Sequence, residues 1–588
     1  MFKLLKRLNR REWGMIALSL VLIVAQVWMD LKVPDYMATI TEKLQQTHTT
    51  TAEIMQPGYW MVGLSLLSVL SSIIVGYLVA KIAAGLSARI RQDVYDRVLD
   101  DAEADIRHFS VASLLTRTTN DITQVQTFVA MGLQAIIKAP ITAIWAITKI
   151  ANKGWQWTTA TGVAVLILII MLALILTLVQ PKFKAVQRLT DRLNLITREN
   201  LDGIRVVHAY NAEAYQNRKF DQANQDLTQT NLFANRVLAL MSPGMSLISN
   251  GLTLAVYMIG AILINQATNL TVRVTLFGNM VVFSSYAMQV IMAFLLLSII
   301  FVLLPRVSVS AKRINAVLAT QPSLSSPATA PTTTTQPGTL EFQDVSFTYP
   351  AAKRPALEHL TFTAQPGQTV ALIGATGSGK TTALSLISRQ ADATSGRVLV
   401  NGIDVRDYPT AALNDQLGVV PQTATLFSGT VGSNLRLGSA AAASDQQLQQ
   451  ALQTAQASDF IAAQSAGLET PVAQHGDNFS GGQKQRLGIA RALVRQPHLL
   501  LFDDSFSALD YQTDQTLRTA LKTDLPNATK VIVAQRISTI MDADQIIVLD
   551  GGQVVGQGTH ADLLATNQVY QEIAYSQLSK EELANDEN

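Results

Sequence analysis

VALIGATGSGKTTALSLI, residues 370–387, runs from an apolar strand pattern through a glycine-rich turn into a helical pattern. Glycines 374, 377 and 379 allow the backbone to approach a phosphate closely, and the amides at the helix start face an anion. Lys380 adds a positive charge, and Thr381 offers a hydroxyl ligand for Mg²⁺. The stretch therefore predicts an α/β phosphate-binding domain that takes ATP, with these loop residues: Gly374, Ala375, Thr376, Gly377, Ser378, Gly379, Lys380, Thr381 and Thr382.

Further motifs follow this loop at regular intervals. FSGGQ comprises Phe479, Ser480, Gly481, Gly482 and Gln483. The apolar strand pattern LLLFDD, residues 499–504, ends in two acidic residues and is followed by SALD, which comprises Ser507, Ala508, Leu509 and Asp510. VIVAQRIST, residues 531–539, forms a last strand pattern that ends at Gln535.

In this order and at these spacings, the motifs resemble those of ABC transporters, and specifically the hydrolysis-impaired half of heterodimeric ABC exporters. The resemblance implies that Tyr349 stacks on adenine and that Thr381, Gln422 and Asp503 hold Mg²⁺. It also implies that FSGGQ contacts ATP held mainly by the opposite subunit, and that SALD crosses the dimer interface.

Two positions depart from the pattern of an active member of that family. Asp504 stands where a glutamate normally orients or deprotonates the attacking water, and Gln535 stands where a histidine is expected. Loss of one methylene withdraws the carboxylate, and a misplacement of about 1 Å costs on the order of 10²-fold in rate. Glutamine donates a hydrogen bond but carries no positive charge. The two changes favour a non-identical partner with an intact Glu and His, whereas a conservative replacement in a slow but active enzyme is the alternative.

A third departure from the family pattern lies near the signature. Gln474 occupies a position that is usually acidic in exporters, which puts the family's cross-subunit contact there in doubt.

The first 320 residues show six apolar runs, each near the 20 residues that span a bilayer. They are approximately 13–29, 59–80, 128–147, 157–179, 237–264 and 275–305, and Lys138 and Pro140 interrupt the third. Basic residues before the first run and after the second and fourth place both termini in the cytoplasm. The sequence thus predicts a multi-pass protein of the cytoplasmic membrane.

The domain plan combines these patterns with the resemblance. We expect an α-helical six-span transmembrane domain of the type IV ABC exporter class over residues 1–320, then a Pro/Thr/Ser-rich linker over 321–338. A cytoplasmic α/β P-loop ABC ATPase domain follows over 339–575, and a polar tail over 576–588. The two long inner loops show helical periodicity, and 109–121 and 203–213 resemble coupling regions.

The sixth run supplies candidates for a substrate cavity. Aromatic, methionine and polar side chains suit amphiphilic, drug-like molecules but also pack ordinary helix bundles. Lys138 is either functional or a lysine whose ammonium reaches the membrane surface. The candidates are Lys138, Phe283, Ser284, Tyr286, Met288, Gln289 and Met292.

Composition narrows the remaining classes. The charged fraction is 15%, below the roughly 25% of soluble domains, and the net charge of +2 indicates no nucleic-acid partner. The chain has no cysteine, which excludes disulfides and thiolate sites. A lipid or peptide exporter, a slow homodimer and, more distantly, an ATP-gated channel or sensor stay open as alternatives to a drug exporter.

Overall fold

The computed structural model describes residues 2–44, 50–106, 108–151, 154–325, 327, 336–350 and 352–578. The chain forms two compact units, Met1–Leu99 with Phe109–Thr320, and Asp100–His108 with Gln321–Asn588. Part of the predicted linker, residues 326 and 328–335, and residues 579–588 of the predicted tail lie outside the described residues.

The first unit is built from long helices. Within the described residues, six stretches are long and apolar enough to cross a membrane, and each contains one of the predicted runs. The helix through Lys138 and Pro140 is continuous, which a membrane helix tolerates when neighbours satisfy the backbone groups that proline frees. The helices are α1 (Phe2–Leu5), α2 (Arg10–Leu44), α3 (Thr51–Asp100), α4 (Glu103–Ile106, in the second unit), α5 (Val111–Thr116), a π-helix (Arg117–Asp121), α6 (Ile122–Ala151), α7 (Trp155–Asp202), α8 (Ile204–Ala209), α9 (Glu213–Ala239), α10 (Met241–Gln266) and α11 (Leu270–Ala319).

The predicted inner loops are helical, as their periodicity indicated. α3 and α7 extend well beyond their apolar runs, and the short helices α5 and α8 lie within the two segments that resemble coupling regions. The core of this unit lies between α2, α3, α6, α7, α10 and α11. Trp157 is fully buried there, and its indole N–H donates to the carbonyl of Val256 at 3.1 Å.

The second unit contains two main sheets. An antiparallel sheet has the order β2-β1-β4-β5, and a six-stranded sheet has the order β12-β11-β3-β10-β9-β6. The strands are β1 (Leu340–Phe347), β2 (Leu357–Ala364), β3 (Thr369–Gly374), β4 (Ser395–Val400), β5 (Ile403–Asp404), β6 (Leu417–Val420), β7 (Gly429–Thr430), β8 (Pro471–Val472), β9 (Leu499–Asp503), β10 (Thr529–Val533), β11 (Gln545–Asp550) and β12 (Gln553–Gly558).

Helices flank these sheets and complete the cores. They are α12 (Lys380–Ile387), α13 (Thr410–Gln416), α14 (Val431–Leu435), α15 (Asp445–Thr454), α16 (Ser458–Ala462), α17 (Gly481–Leu493), α18 (Tyr511–Asp524), α19 (His560–Thr566) and α20 (Gln568–Gln577).

The parallel part of the large sheet determines where chemistry can occur. β3, β10, β9 and β6 pair in parallel, so their carboxyl ends meet at one edge. Continuous apolar runs such as TVALIG and LLLF form these strands because both faces of a parallel sheet are covered. Ligands of open α/β sheets bind outside that edge, which is where Gly374, Asp503 and the residues after Val420 and Val533 lie.

Candidate nucleotide site

The phosphate loop leaves the carboxyl end of β3 and enters α12. Gly374 has φ +154°, and a side chain there would come within 2.0 Å of the Leu549 carbonyl oxygen. Gly379, the residue before α12, has φ +100°, and a side chain there would come within 2.5 Å of the Ala356 carbonyl oxygen. Ala375, Thr376 and Gly377 form the exposed tip of the loop, while Ser378 is buried beneath it. The glycines are therefore needed by the backbone, which brings amides at the start of α12 to a position where they can face an anion.

Lys380 lies inside this loop rather than in solvent. Its ammonium donates to the carbonyl oxygens of Gly374 at 2.7 Å and Ala375 at 2.8 Å. Burial lowers the pKa of Lys380, while Asp504 and Asp503 nearby act in the opposite direction. A phosphate brought into the loop would replace carbonyl dipoles by full negative charge, so the lysine is placed to bind one.

Asp503 ends β9 next to the start of α12. The Thr381 hydroxyl donates to its carboxylate at 2.9 Å. Burial raises the pKa of Asp503, Asp504 adds to that effect, and the Thr381 hydrogen bond opposes it. A hydroxyl and a carboxylate oxygen side by side are the hard donors that Mg²⁺ takes alongside substrate phosphates, so these two residues fit the ion.

Asp504 is held by two amide side chains from neighbouring strands. Its Oδ2 accepts from Gln422 Nε2 at 3.2 Å and from Gln535 Nε2 at 2.9 Å. Gln422 follows β6, and Gln535 follows β10, so the strand order brings them to either side of β9. The sequence predicted roles for all three residues, and the structure joins them in one cluster, which we call the amide–carboxylate cluster (Gln422, Asp504 and Gln535).

The backbone of Asp504 is also unusual. Its φ is +48°, a conformation that costs a non-glycine residue energy. Its N–H donates to the Val533 carbonyl at 2.9 Å, and its own carbonyl accepts from the Ser507 hydroxyl at 2.8 Å. These bonds fix the turn, so a shorter side chain at 504 is not compensated by backbone movement.

Tyr349 lies beside the phosphate-loop helix. Its hydroxyl is 3.1 Å from the Thr382 hydroxyl, and its ring stands edge-on to Phe347 at 4.8 Å. The ring is 42% exposed, which leaves one side available for stacking on a base.

The signature and the SALD loop lie against each other. Ser480 caps α17, and Gln483 bonds back to it in a capping box, while Phe479 is buried. A Cβ at Gly482 would lie 3.2 Å from the carbonyl oxygen of Ala508, and nothing lies within 4 Å of one at Gly481. Leu509 is buried, and Asp510 caps α18. Among the described residues, no hydrogen bond joins the signature to the phosphate loop.

A second polar cluster lies in the membrane unit, around Asp30 and Asp35 of α2. Asp30 accepts from the Ser68 hydroxyl at 2.6 Å and pairs with Lys138 at 3.3 Å. Asp35 accepts from the Tyr286 hydroxyl at 2.5 Å and from Lys149 at 2.8 Å.

The predicted cavity residues fall into three groups. Lys138, Tyr286 and Gln289 join the polar cluster, the last by donating to the Asp30 carbonyl at 3.3 Å. Phe283 is fully buried, with its ring 5.6 Å from that of Trp157. Met288 and Met292 are exposed, and Ser284 and Met288 line a shallow crevice between α10 and α11. Their role in substrate binding stays a prediction.

The sequence did not predict one residue that bonds to the backbone of the segment carrying Gln535. Gln577, at the end of α20, bonds to the backbone on both sides of Arg536. A single glutamine outside any motif has no sequence pattern that would indicate such a contact.

Both units match known protein families. Residues 16–294 match the family model for the ABC transporter transmembrane region, and residues 357–507 match that for the ABC transporter. An uncharacterized ABC transporter ATP-binding protein of Mycobacterium bovis is 38% identical over 577 residues, covering 98% of both chains. An ATP-dependent lipid A-core flippase of Pseudomonas fluorescens is 30% identical over 501 residues, covering 85% of this chain and 82% of the flippase.

A solved structure has the same fold. A bacterial Atm1-family ABC exporter with ATP bound superposes with a TM-score of 0.79, at 24% identity, covering 96% of this chain and 97% of that one.

Proposed function

The chain belongs to the ABC transporter family, and we propose that it is one subunit of a heterodimeric exporter whose own ATP site binds ATP but hydrolyses it poorly. The chain is a multi-pass membrane protein and an ATPase-coupled exporter, with an ATP-binding domain after a six-helix membrane domain. The proposal concerns the division of labour between its ATP site and that of a partner.

The amide–carboxylate cluster carries this proposal. Both Gln422 and Gln535 donate to the same oxygen of Asp504, at 3.2 and 2.9 Å. A carboxylate that orients an attacking water must reach that water, and this one is a methylene shorter than glutamate and already occupied by two donors. Because a loss of about 1 Å in placement costs on the order of 10²-fold, we expect hydrolysis at this site to be slow.

Gln535 weakens the site in a second way. An amide can donate one hydrogen bond to the γ-phosphate, but it has no charge to offer as negative charge shifts during phosphoryl transfer. Hydrogen bonds to ground-state ATP are thereby retained while transition-state stabilisation is lost. Such a site binds ATP and keeps it.

The remaining residues of the site suit ATP binding. Lys380 provides the positive charge, the loop amides surround the phosphates, and the exposed side of Tyr349 stacks on adenine. Thr381, Asp503 and, after release from Asp504, Gln422 would hold Mg²⁺, which supplies charge neutralisation at the phosphates.

The signature is intact and serves the partner. α17 begins at the capped Ser480 with open space at Gly481, so its positive amino end is ready to face a phosphate. The logical partner is a homologous, non-identical half-transporter with a true Glu and His. Its site would turn over ATP while this chain's site stabilises the closed dimer, with both termini in the cytoplasm.

We propose amphiphilic, drug-like molecules as the substrate class, and a lipid as the second candidate. The first rests on the methionine and polar side chains of α11, and the second on the 30% identity to a protein named as a lipid A-core flippase. ATPase stimulation of the reconstituted pair by a panel of drugs and lipids separates them. Ion currents without uphill accumulation would favour a channel instead.

Nucleotide trapping in the intact complex tests the proposal. The tagged chain is purified with its partner, loaded with photoreactive ATP and Mg²⁺, and cross-linked after turnover. We expect intact ATP on this chain and ADP on the partner. Equal ADP on two subunits, or recovery of this chain alone as an active homodimer, would contradict it.

A further inference from the structure

The C-terminal helix α20 packs beneath the segment that carries Gln535. Tyr570 and Ala574 are fully buried in the same core cluster as Ile537 and Ile540. Residues three apart on a helix share a face, so Gln577 follows Ala574 on the side that meets this segment. Its position is thus set by buried apolar contacts rather than by its own amide.

The Gln577 amide bonds to the backbone at two points. Nε2 donates to the Gln535 carbonyl at 2.8 Å, and Oε1 accepts from the Ile537 N–H at 2.9 Å. The planar amide donates to a carbonyl and accepts from an N–H. It therefore fixes the position and the rotation of the peptides on either side of Arg536.

The clamped segment reaches the nucleotide site through two side chains. Gln535 Nε2 donates to Asp504 at 2.9 Å, and an Arg536 guanidinium nitrogen donates to the Ser507 carbonyl at 3.1 Å. A rotation of the 535 peptide would therefore move the amide away from the carboxylate.

We propose that Gln577 is a positioning residue of the nucleotide site, which aims the Gln535 amide at Asp504 and at the γ-phosphate of bound ATP. This inference rests on the proposed role of Gln535 as a γ-phosphate contact. Among the described residues the Gln577 side chain bonds to the backbone of Gln535 and Ile537 and not to Asp504, so it would act through that backbone.

Hydrogen exchange of the full-length chain in nanodiscs tests the clamp itself. In Gln577→Ala, exchange of the Ile537 amide rises about fivefold, the worth of one hydrogen bond, while Gln577→Glu, which keeps the acceptor, gives a smaller rise. Gln571→Ala is the matched control, since Gln571 lies on the same helix and donates to the Leu564 carbonyl instead. Unchanged exchange in Gln577→Ala would overturn the proposal.

Residence times of MgATP and MgADP on the same samples test the positioning. We expect Gln577→Ala to shorten ATP residence about threefold to tenfold and to leave ADP residence unchanged, because only ATP has the γ-phosphate. In a Gln535→Ala background, Gln577→Ala should add nothing. Equal effects on both nucleotides, no effect on ATP, or additive effects would each overturn it.

This outcome is separable from that of the proposed function. Fast hydrolysis by the isolated chain would contradict poor turnover while leaving the exchange results intact.

Discussion

Carboxylates in the two units of the chain are held by different partners. Asp30 and Asp35 in the membrane unit pair with Lys138 and Lys149, whereas the Asp504 carboxylate in the nucleotide unit accepts from the neutral amides of Gln422 and Gln535. A charge within a bilayer is costly unless paired, so lysines neutralise it. At the nucleotide site no lysine bonds to Asp504 among the described residues, and what is limited is the reach of its carboxylate.

Lys380 sharpens this difference. It is the cation of the nucleotide site, yet it donates to carbonyls rather than to a carboxylate. A lysine that donates to carbonyls is available for phosphate, while Lys138 and Lys149 are already paired with carboxylates.

The largest expected effect follows from removing that cation. Lys380→Ala should lower ATP affinity by about 10²-fold or more, the worth of one or two charge-assisted hydrogen bonds, with little change in thermal stability. Equilibrium binding of labelled ATP measures it, with Lys522→Ala, an exposed lysine on α18, as the control. An affinity loss below about threefold would show that Lys380 does not bind phosphate.

The membrane carboxylates should instead affect stability. Asp35→Asn should lower the free energy of unfolding by about 2 kcal/mol, and Asp30→Asn by about half of that, since Asp35 has the shorter bonds and both are part-exposed. Thermal unfolding in one detergent ranks the two variants. Asp35→Asn/Lys149→Met should recover part of the loss, and a larger loss in Asp30→Asn would contradict this ranking.

A smaller effect concerns pH. Burial lowers the pKa of Lys380, and ATP binds the protonated form, so binding takes up a proton above that pKa. ATP affinity is therefore full at lower pH and falls as pH rises through the lowered pKa, by at most about tenfold per pH unit. Titration of affinity from neutral pH upward checks this, and an affinity that rises with pH would contradict it.

Contiguous patterns allowed much of this architecture to be predicted. TVALIG followed by GATGSGKT placed the phosphate loop, and the apolar runs placed six membrane-spanning helices. Asp504 and Gln535 were identified from the resemblance, because they stand at the motif positions where an active exporter has Glu and His, and in the structure they follow β9 and β10.

Contacts between distant residues were not predictable from the sequence. Lys138 was either functional or reaching the surface, and the structure pairs it with Asp30, 108 residues earlier in the chain. Gln577 was assigned to a polar tail although α20 extends through it, since its role depends on what α20 packs against.

ATP hydrolysis by the purified full-length chain tests the central claim most directly. The wild-type chain and the double variant Asp504→Glu/Gln535→His are assayed in nanodiscs with MgATP. Lys380→Ala gives the background rate, and Asp415→Glu, at an exposed position, controls for the added methylene. Because the signature is intact, two copies can complete a site. We expect the wild-type rate to lie near background and the double variant to exceed it by on the order of 10²-fold. Rapid hydrolysis by the wild-type chain, with no gain in the double variant, would contradict the account.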